Sequence, residues 1–224
     1  MTRAVLFDTE TTGFYPEEGD RVIEIAAIEL SNDLPTGETF YALLDPERDI
    51  PTDSTRIHGI TSAHVYGKPK FADIADDMLK FFGDSPLIAH NAPFDFGFLD
   101  AELARLQKPK LARDKMIDTL AIAKQIFPGM PNSLDALCTR YNIDRSERTT
   151  HNALLDCKLL ADVYVELTGG RQRGLVLDED QHFVFAKYEK PPNYEPIRIK
   201  LSPEQLAAHA AFITRLKDAI WAQP

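Results

Sequence analysis

Apolar and polar positions change period twice along this chain. Ala4-Val5-Leu6-Phe7-Asp8 is a short apolar run leading into polar residues and Gly13, as expected of a buried strand. Val22 to Leu30 alternates, through Val22, Ile23, Glu24 and Ile25 and then Ala27, Ile28 and Glu29. Glu38 to Leu44 is a third β-prone run, and Asn32-Asp33 with Pro35-Thr36-Gly37 supplies turn chemistry before it. Three neighbouring strands with short connections predict an antiparallel meander.

The period then becomes helical at Phe71, Ile74, Met78, Leu79 and Phe82. Pro86-Leu87-Ile88-Ala89-His90 reads as another strand, followed by a helix from Asp95 to Leu106 and a short strand near Met116-Ile117. Helices are predicted over 119–127, 133–141 and 153–167, the last stopped by Gly169-Gly170. The fold class is therefore α/β, a mixed sheet with helices packed on it, spanning residues 1–170.

Residues 171–200 hold Pro191, Pro192 and Pro196 with no helical period, and read as a flexible linker. A last helix starts at Ser202-Pro203-Glu204-Gln205, a capping box with proline at the first helical position. Within the segment 201–224, Leu206, Ala210, Ile213, Leu216 and Ile220 form an apolar stripe. Such a stripe either folds back onto the core or docks on a partner; the preceding linker favours docking.

Composition narrows the class. At 44% apolar residues the chain can build a core, and no stretch approaches the roughly 18 uninterrupted apolar residues of a membrane span. Cys138 and Cys157 are too few for a disulfide scaffold, and the N-terminus shows no leader-like run, so a reduced, cytoplasmic protein is expected. The formal charge of −10 excludes a broadly basic surface for long duplex nucleic acid. The acidic excess lies in residues 1–168, whereas 169–224 is nearly balanced. Clustered carboxylates in the front part are candidates for metal ligation.

Asp8-Thr9-Glu10 carries the first candidate pair. On a strand of period two, Asp8 and Glu10 share a face, and carboxylates held that closely repel unless a cation intervenes. A calcium loop would need an acid where Gly19 stands, and an aspartyl-phosphate phosphatase would want aspartate rather than Glu10. A two-metal hydrolase would use both residues and further carboxylates from elsewhere. Asp95, after a strand and in a first helical turn, is either an ordinary helix-start acid or one of them. His151 and Asp156 would point about 140° apart on one regular helix, which places His151 in the loop ahead of it with Asp156 pointing inward.

FDTETTG at 7–13, HNAPFDFGFLD at 90–100 and HNALLD at 151–156 together resemble the three motifs of the DEDDh exonuclease family. The four acids and the histidine of that family map onto Asp8, Glu10, Asp95, Asp156 and His151. Residues 132–170 and IHGIT at 57–61 resemble one branch in particular, the epsilon proofreading subunits of bacterial DNA polymerase III. The resemblance implies a ribonuclease-H-like five-stranded sheet and 3′→5′ hydrolysis of DNA from a single-stranded or frayed end. It implies two divalent cations, Mg2+ or Mn2+, with Asp8 bridging both, Glu10 and Asp156 completing one, and Asp95 supporting the other. His151 is then the general base, imidazole being the side chain most used to take a proton from water near neutrality. His58 and Asn91, with Glu10 and Asp156, are expected against the terminal nucleotide; Asp53 stands where these subunits usually have glutamate.

Two tail segments carry further resemblances. Gln172, Leu175 and Leu177 fit the hexapeptide by which replication proteins dock on the sliding clamp. Residues 203–221 resemble the epsilon tail that binds the polymerase alpha subunit, with Leu206, Ile213, Leu216, Ile220 and Trp221 as contacts. The sequence leaves open a small third subunit such as theta. Two competing functions are a DEDDh enzyme trimming RNA ends and a non-catalytic tether between clamp and polymerase.

Overall fold

The computed structural model describes residues 3–146, 148, 150–169 and 200–215. The chain divides into two compact units, Met1–Val176 and Leu177–Pro224. The first is built on a sheet of five strands, β1 (Arg3–Thr11), β2 (Val22–Ser31), β3 (Leu34–Leu43), β4 (Leu87–Ala89) and β5 (Met116–Asp118). Their order is β3-β2-β1-β4-β5, antiparallel from β3 to β1 and parallel from β1 through β4 to β5. The expected meander is present, and β3 begins earlier than the pattern suggested. Asn32 and Asp33 both take positive φ (51° and 66°), making a two-residue turn by themselves. Pro35-Thr36-Gly37, expected to turn, is therefore strand, with an irregularity in the β2–β3 register opposite it.

Seven helices complete this unit among the described residues: α1 (Thr52–His58), α2 (Ser62–Val65), α3 (Phe71–Phe82), α4 (Ala92–Arg105), α5 (Thr119–Ile126), α6 (Leu134–Tyr141) and α7 (Ala153–Leu167). The pattern missed α1 and α2, which at seven and four residues are too short to show a hydrophobic period. Helix α4 starts three residues before Asp95, with Pro93 in its first turn.

The alternation of β1 separates two cores. Leu6 faces the side on which α5, α6 and α7 pack, with Ala26, Ile28 and Ile88. Val5 and Phe7 face α3 and α4, where Phe7 meets Phe82 and Phe96 at ring separations of 5.3 and 5.7 Å. Helix α7 is buried almost all round, as a helix at the centre of one layer must be. Both cysteines are free and buried on helices, and the Cys157 thiol donates to the Ala26 carbonyl.

The second unit contains α8 (Pro203–Ile213), whose capping box forms as expected: Gln205 N–H donates to Ser202 Oγ and Ser202 N–H to Gln205 Oε1. Leu206 is exposed and Ile213 half-buried; Leu216, Ile220, Trp221, the 171–199 stretch and its Gln172, Leu175 and Leu177 lie outside the described residues. No helix among the described residues is long and apolar enough to cross a membrane.

Phe82 is buried against Phe7. Phe82→Ala is expected to cost about 3–5 kcal/mol in urea unfolding, whereas Tyr66→Ala, at an 87% exposed position, should shift stability by no more than about 0.5 kcal/mol.

Candidate active site

The last residues of β1 carry the acidic pair past the end of the apolar core. Asp8 and Glu10 follow Leu6 on the α7 side of the sheet, as period two requires, and Thr9 points to the α4 side. Thr9 reaches Asp95 there: its N–H and Oγ1–H both donate to Asp95 Oδ1, at 3.1 and 2.7 Å. Strand β1 thus holds two acids directly and a third through the threonine between them. Helix α7 brings Asp156 in its first turn, and the three donor atoms of Glu10, His151 and Asp156 lie within 4.8 Å of one another.

His151 sits ahead of α7, as expected, one residue before the N-cap Asn152. Its backbone N–H donates to the Ile57 carbonyl at 3.2 Å, tying it to α1. Its Nδ1 lies 3.3 Å from Asp156 Oδ2, which can only accept, and 2.9 Å from Arg148 Nη2, which can only donate. The ring's tautomer is set by which of the two it pairs with, and only the Asp156 pairing leaves Nε2 without a proton.

The cavity in front of these groups has a volume of about 320 Å³ and is lined by Asp8, Glu10, Asp95 and His151 together with His58 and Asn91. Ile60 N–H donates to His58 Nδ1 at 3.0 Å, so the neutral ring carries its proton on Nε2. That Nε2 is buried with no well-formed hydrogen bond. Burial keeps the His58 pKa below its usual value, with the Thr11 backbone offsetting part of this and His151 adding to it. Asn91 adopts a left-handed conformation at the β4–α4 junction, and its N–H donates to Asp118 Oδ1. The same oxygen accepts from Ala92 N–H and Leu120 N–H, fixing the starts of α4 and α5 together. Asp53 does not line this cavity: its side chain is 89% exposed and pairs with Arg56, while Ser54 beside it faces in and donates to the Thr12 carbonyl.

Phe14, 64% exposed, stands at the cavity edge with Phe94 6.4 Å away. The loop that places it needs Gly13, since a Cβ there would come within 2.1 Å of Asp20. Asp20 in turn accepts from Thr12 Oγ1 and Tyr15 N–H.

Two residues that the motifs did not mark complete the electrostatics. Glu24 lies directly opposite Glu10 across β1–β2 and is buried. It accepts from Tyr41 Oη at 2.7 Å, Asn152 Nδ2 at 3.1 Å and Ala153 N–H at 2.9 Å, anchoring the start of α7. Arg148 forks onto both Asp156 oxygens and also reaches Asp135 at 2.6 Å. Glu24 was visible only as one polar position in an alternating strand, and Arg148 lies in a loop without a period; neither carries a local signal.

The carboxylates outnumber the cation beside them. Burial, and then Asp95, Glu10 and Asp156, raise the Asp8 pKa well above the usual range. Burial and the charges of Asp156, Glu24 and Asp95 push Glu10 up to about 8, with Arg148 pulling the other way. Burial raises Asp95 to about 7 against the lowering effect of Thr9. An all-oxygen donor set short of positive charge, with one imidazole, fits hard divalent cations.

The exonuclease family model matches residues 5–164. The chain belongs to the exonuclease family. It is 44% identical over 221 residues to the DNA polymerase III subunit epsilon of Rickettsia felis, covering 96% of each chain. It is also 44% identical to the DNA polymerase III subunit epsilon of Escherichia coli K12, over 76% of this chain and 73% of that one. Among solved structures it is similar to exonuclease X in complex with 5′ overhanging duplex DNA, at a TM-score of 0.58 and 26% identity, covering 75% and 91% of the two chains. The sheet is the ribonuclease-H-like one of these exonucleases. Exonucleases of this family work with divalent metal ions, and this exonuclease presents donors suited to them.

The raised carboxylates set a pH dependence of stability. The folded, metal-free exonuclease binds protons more tightly than the unfolded chain, because Glu10 moves from 4.5 to about 8 and Asp95 from 3.8 to about 7. Their contribution is therefore most favourable near the unfolded values and is lost as pH rises through the folded ones. With chelator present, the melting temperature should fall between about pH 5 and 8, and Glu10→Gln should flatten that fall. A melting temperature that rises over this range would contradict the electrostatic account.

Proposed function

We propose that this chain is the proofreading exonuclease of a bacterial replicative polymerase of the DNA polymerase III type, hydrolysing DNA from a single-stranded or frayed 3′ end. The observation that carries this reading is the convergence of Asp8, Glu10, Asp95, Asp156 and His151 from β1, α4, α7 and the loop before it, in a chain similar to subunits named epsilon.

Asp8, Glu10 and Asp156, with Asp95 beside them, would hold two divalent cations, magnesium or manganese. Bound there, such ions supply the positive charge that makes water acidic and offsets charge on a departing oxygen. His151 accepts the proton of the attacking water at Nε2, while Nδ1 is held on the Asp156 side. His58 offers Nε2–H to the terminal nucleotide from a buried position where that donor otherwise lacks a good acceptor. Asn91 supports the same nucleotide from the β4–α4 junction. The exposed Phe14 and the neighbouring Phe94 provide faces on which an unpaired base stacks, which suits an end already out of the duplex. Asp53 takes part only if its pair with Arg56 opens.

Beyond the site, Leu206 and Ile213 of α8, together with Leu216, Ile220 and Trp221 later in the sequence, are proposed to dock on the polymerase alpha subunit. Gln172, Leu175 and Leu177 are proposed to meet the sliding clamp. The polymerase then supplies most of the affinity for DNA, which reconciles a charge of −10 with a nucleic-acid substrate.

A mismatched primer end incubated with magnesium should release mononucleotides, and chelator or Asp156→Ala should stop release. His151→Ala should keep metal binding while losing roughly 10²–10⁴ of turnover, whereas Asp8→Ala should lose both, read by calorimetric metal titration beside the nuclease assay. Degradation by His151→Ala at the parent rate would remove histidine from the role of base. Preference for an RNA over a DNA oligonucleotide would favour the RNA-trimming reading, and metal-independent inertness on both would favour a tether. Removing residues 200–224 should abolish co-purification with alpha and leave nuclease activity in place.

A further inference from the structure

Next to the active cavity runs a second trough of about 300 Å³, sharing Ile57 and His151 as a common wall. Its lining includes three guanidinium groups, Arg56, Arg145 and Arg148, together with Thr150. Such a lining is unusual on a chain of charge −10. Among the described residues the anions set against it are few. Asp135 is shared between Arg145 at 2.8 Å and Arg148 at 2.6 Å, and Arg148 is also committed to Asp156. Among the described residues Arg56 is tied only to Asp53, an i,i+3 pair whose side chains are 73% and 89% exposed and which water screens heavily. Arg56 and Arg145 can therefore exchange their present partners for another anion at little cost, whereas Arg148 cannot. A strand whose terminal nucleotide occupies the active cavity, with its next linkage at His151, would have this trough beside it across the shared wall.

We propose that this trough carries the phosphodiester backbone of the substrate strand on the 5′ side of the bond being cut, with Arg56 and Arg145 binding its phosphates. The inference rests on the exonuclease reading and adds to it a subsite for the penultimate nucleotides. Arg56 is on α1 and Arg145 on the loop before α7, so a strand lying between them touches both elements that meet at His151. Guanidinium forks suit phosphate geometry, and neither contact reads a base, so the subsite is indifferent to sequence.

The test uses the full-length protein, an octathymidylate, the p-nitrophenyl ester of thymidine 5′-monophosphate, and octamers with one neutral methylphosphonate at the first, second or third linkage upstream. The double variant Arg56→Gln/Arg145→Gln should raise KM on the octamer by about tenfold. The slope of log KM against log salt should fall by about 1.4, two contacts at roughly 0.7 each for a single strand. Neutralising an upstream linkage should weaken the parent several-fold and the double variant much less. The ester has no upstream phosphate, so its kcat/KM should drop far less than that of the octamer, and Arg56→Lys/Arg145→Lys should recover most of the octamer KM. A parental KM and salt slope in the glutamine variant, equal sensitivity of both proteins to methylphosphonate, or equal losses on ester and octamer would each overturn the subsite. A parent inert on octamer and ester alike would instead overturn the exonuclease reading itself.

Discussion

Mutual repulsion among buried carboxylates is the constraint around which this molecule is arranged. Asp8, Glu10, Asp95, Asp156 and Glu24 are held close enough that three of them have raised pKa values, with Arg148 as the cation beside them. Such a cluster does not assemble of its own accord. It persists because each carboxylate rides on an element whose position is fixed by apolar packing elsewhere: Leu6 and Phe7 for β1, Phe96 and Leu99 for α4, Leu160 and Val163 for α7. The two cores on either face of the sheet set the spacing of charges that would otherwise separate. The unfavourable electrostatics of this cluster are offset only in part by Arg148, which forks onto Asp156 and pulls the Glu10 pKa down.

Hydrogen bonding divides the acids into two kinds. Glu24 is satisfied by Tyr41, Asn152 and Ala153, and works as a structural anchor for α7 despite its closeness to the site. Asp95 is half-way, aligned by the Thr9 N–H and hydroxyl on one oxygen. Among the described residues Glu10 has no such network, and burial with the charges of Asp156, Glu24 and Asp95 raises its pKa.

Much of this was legible in the sequence because its signals are local. Period two in β1 put Asp8 and Glu10 on one face, and the five-residue step from His151 to Asp156 placed the histidine ahead of a helix. The ordered motifs joined distant segments that no periodicity could join. What escaped were features set by tertiary contact: Glu24 acts through the strand that faces it, Arg148 through a loop, and α1 and α2 are too short to show a pattern. The β3 start was misplaced because two left-handed residues at Asn32 and Asp33 turn the chain without help from the Pro35-Thr36-Gly37 that looked like a turn. Asp53 shows the limit of reading by alignment of motifs, since its immediate neighbour Ser54 is the one that faces the cavity.

The bond from His151 N–H to the Ile57 carbonyl, with Thr150 packed 3.6 Å from the place a Cβ would occupy on Gly59, makes α1 and the pre-α7 loop a single mechanical piece. Ile57, His58 and His151 line the same cavity. A shift of α1 is therefore carried through one backbone hydrogen bond to the residue whose imidazole stands beside Asp156.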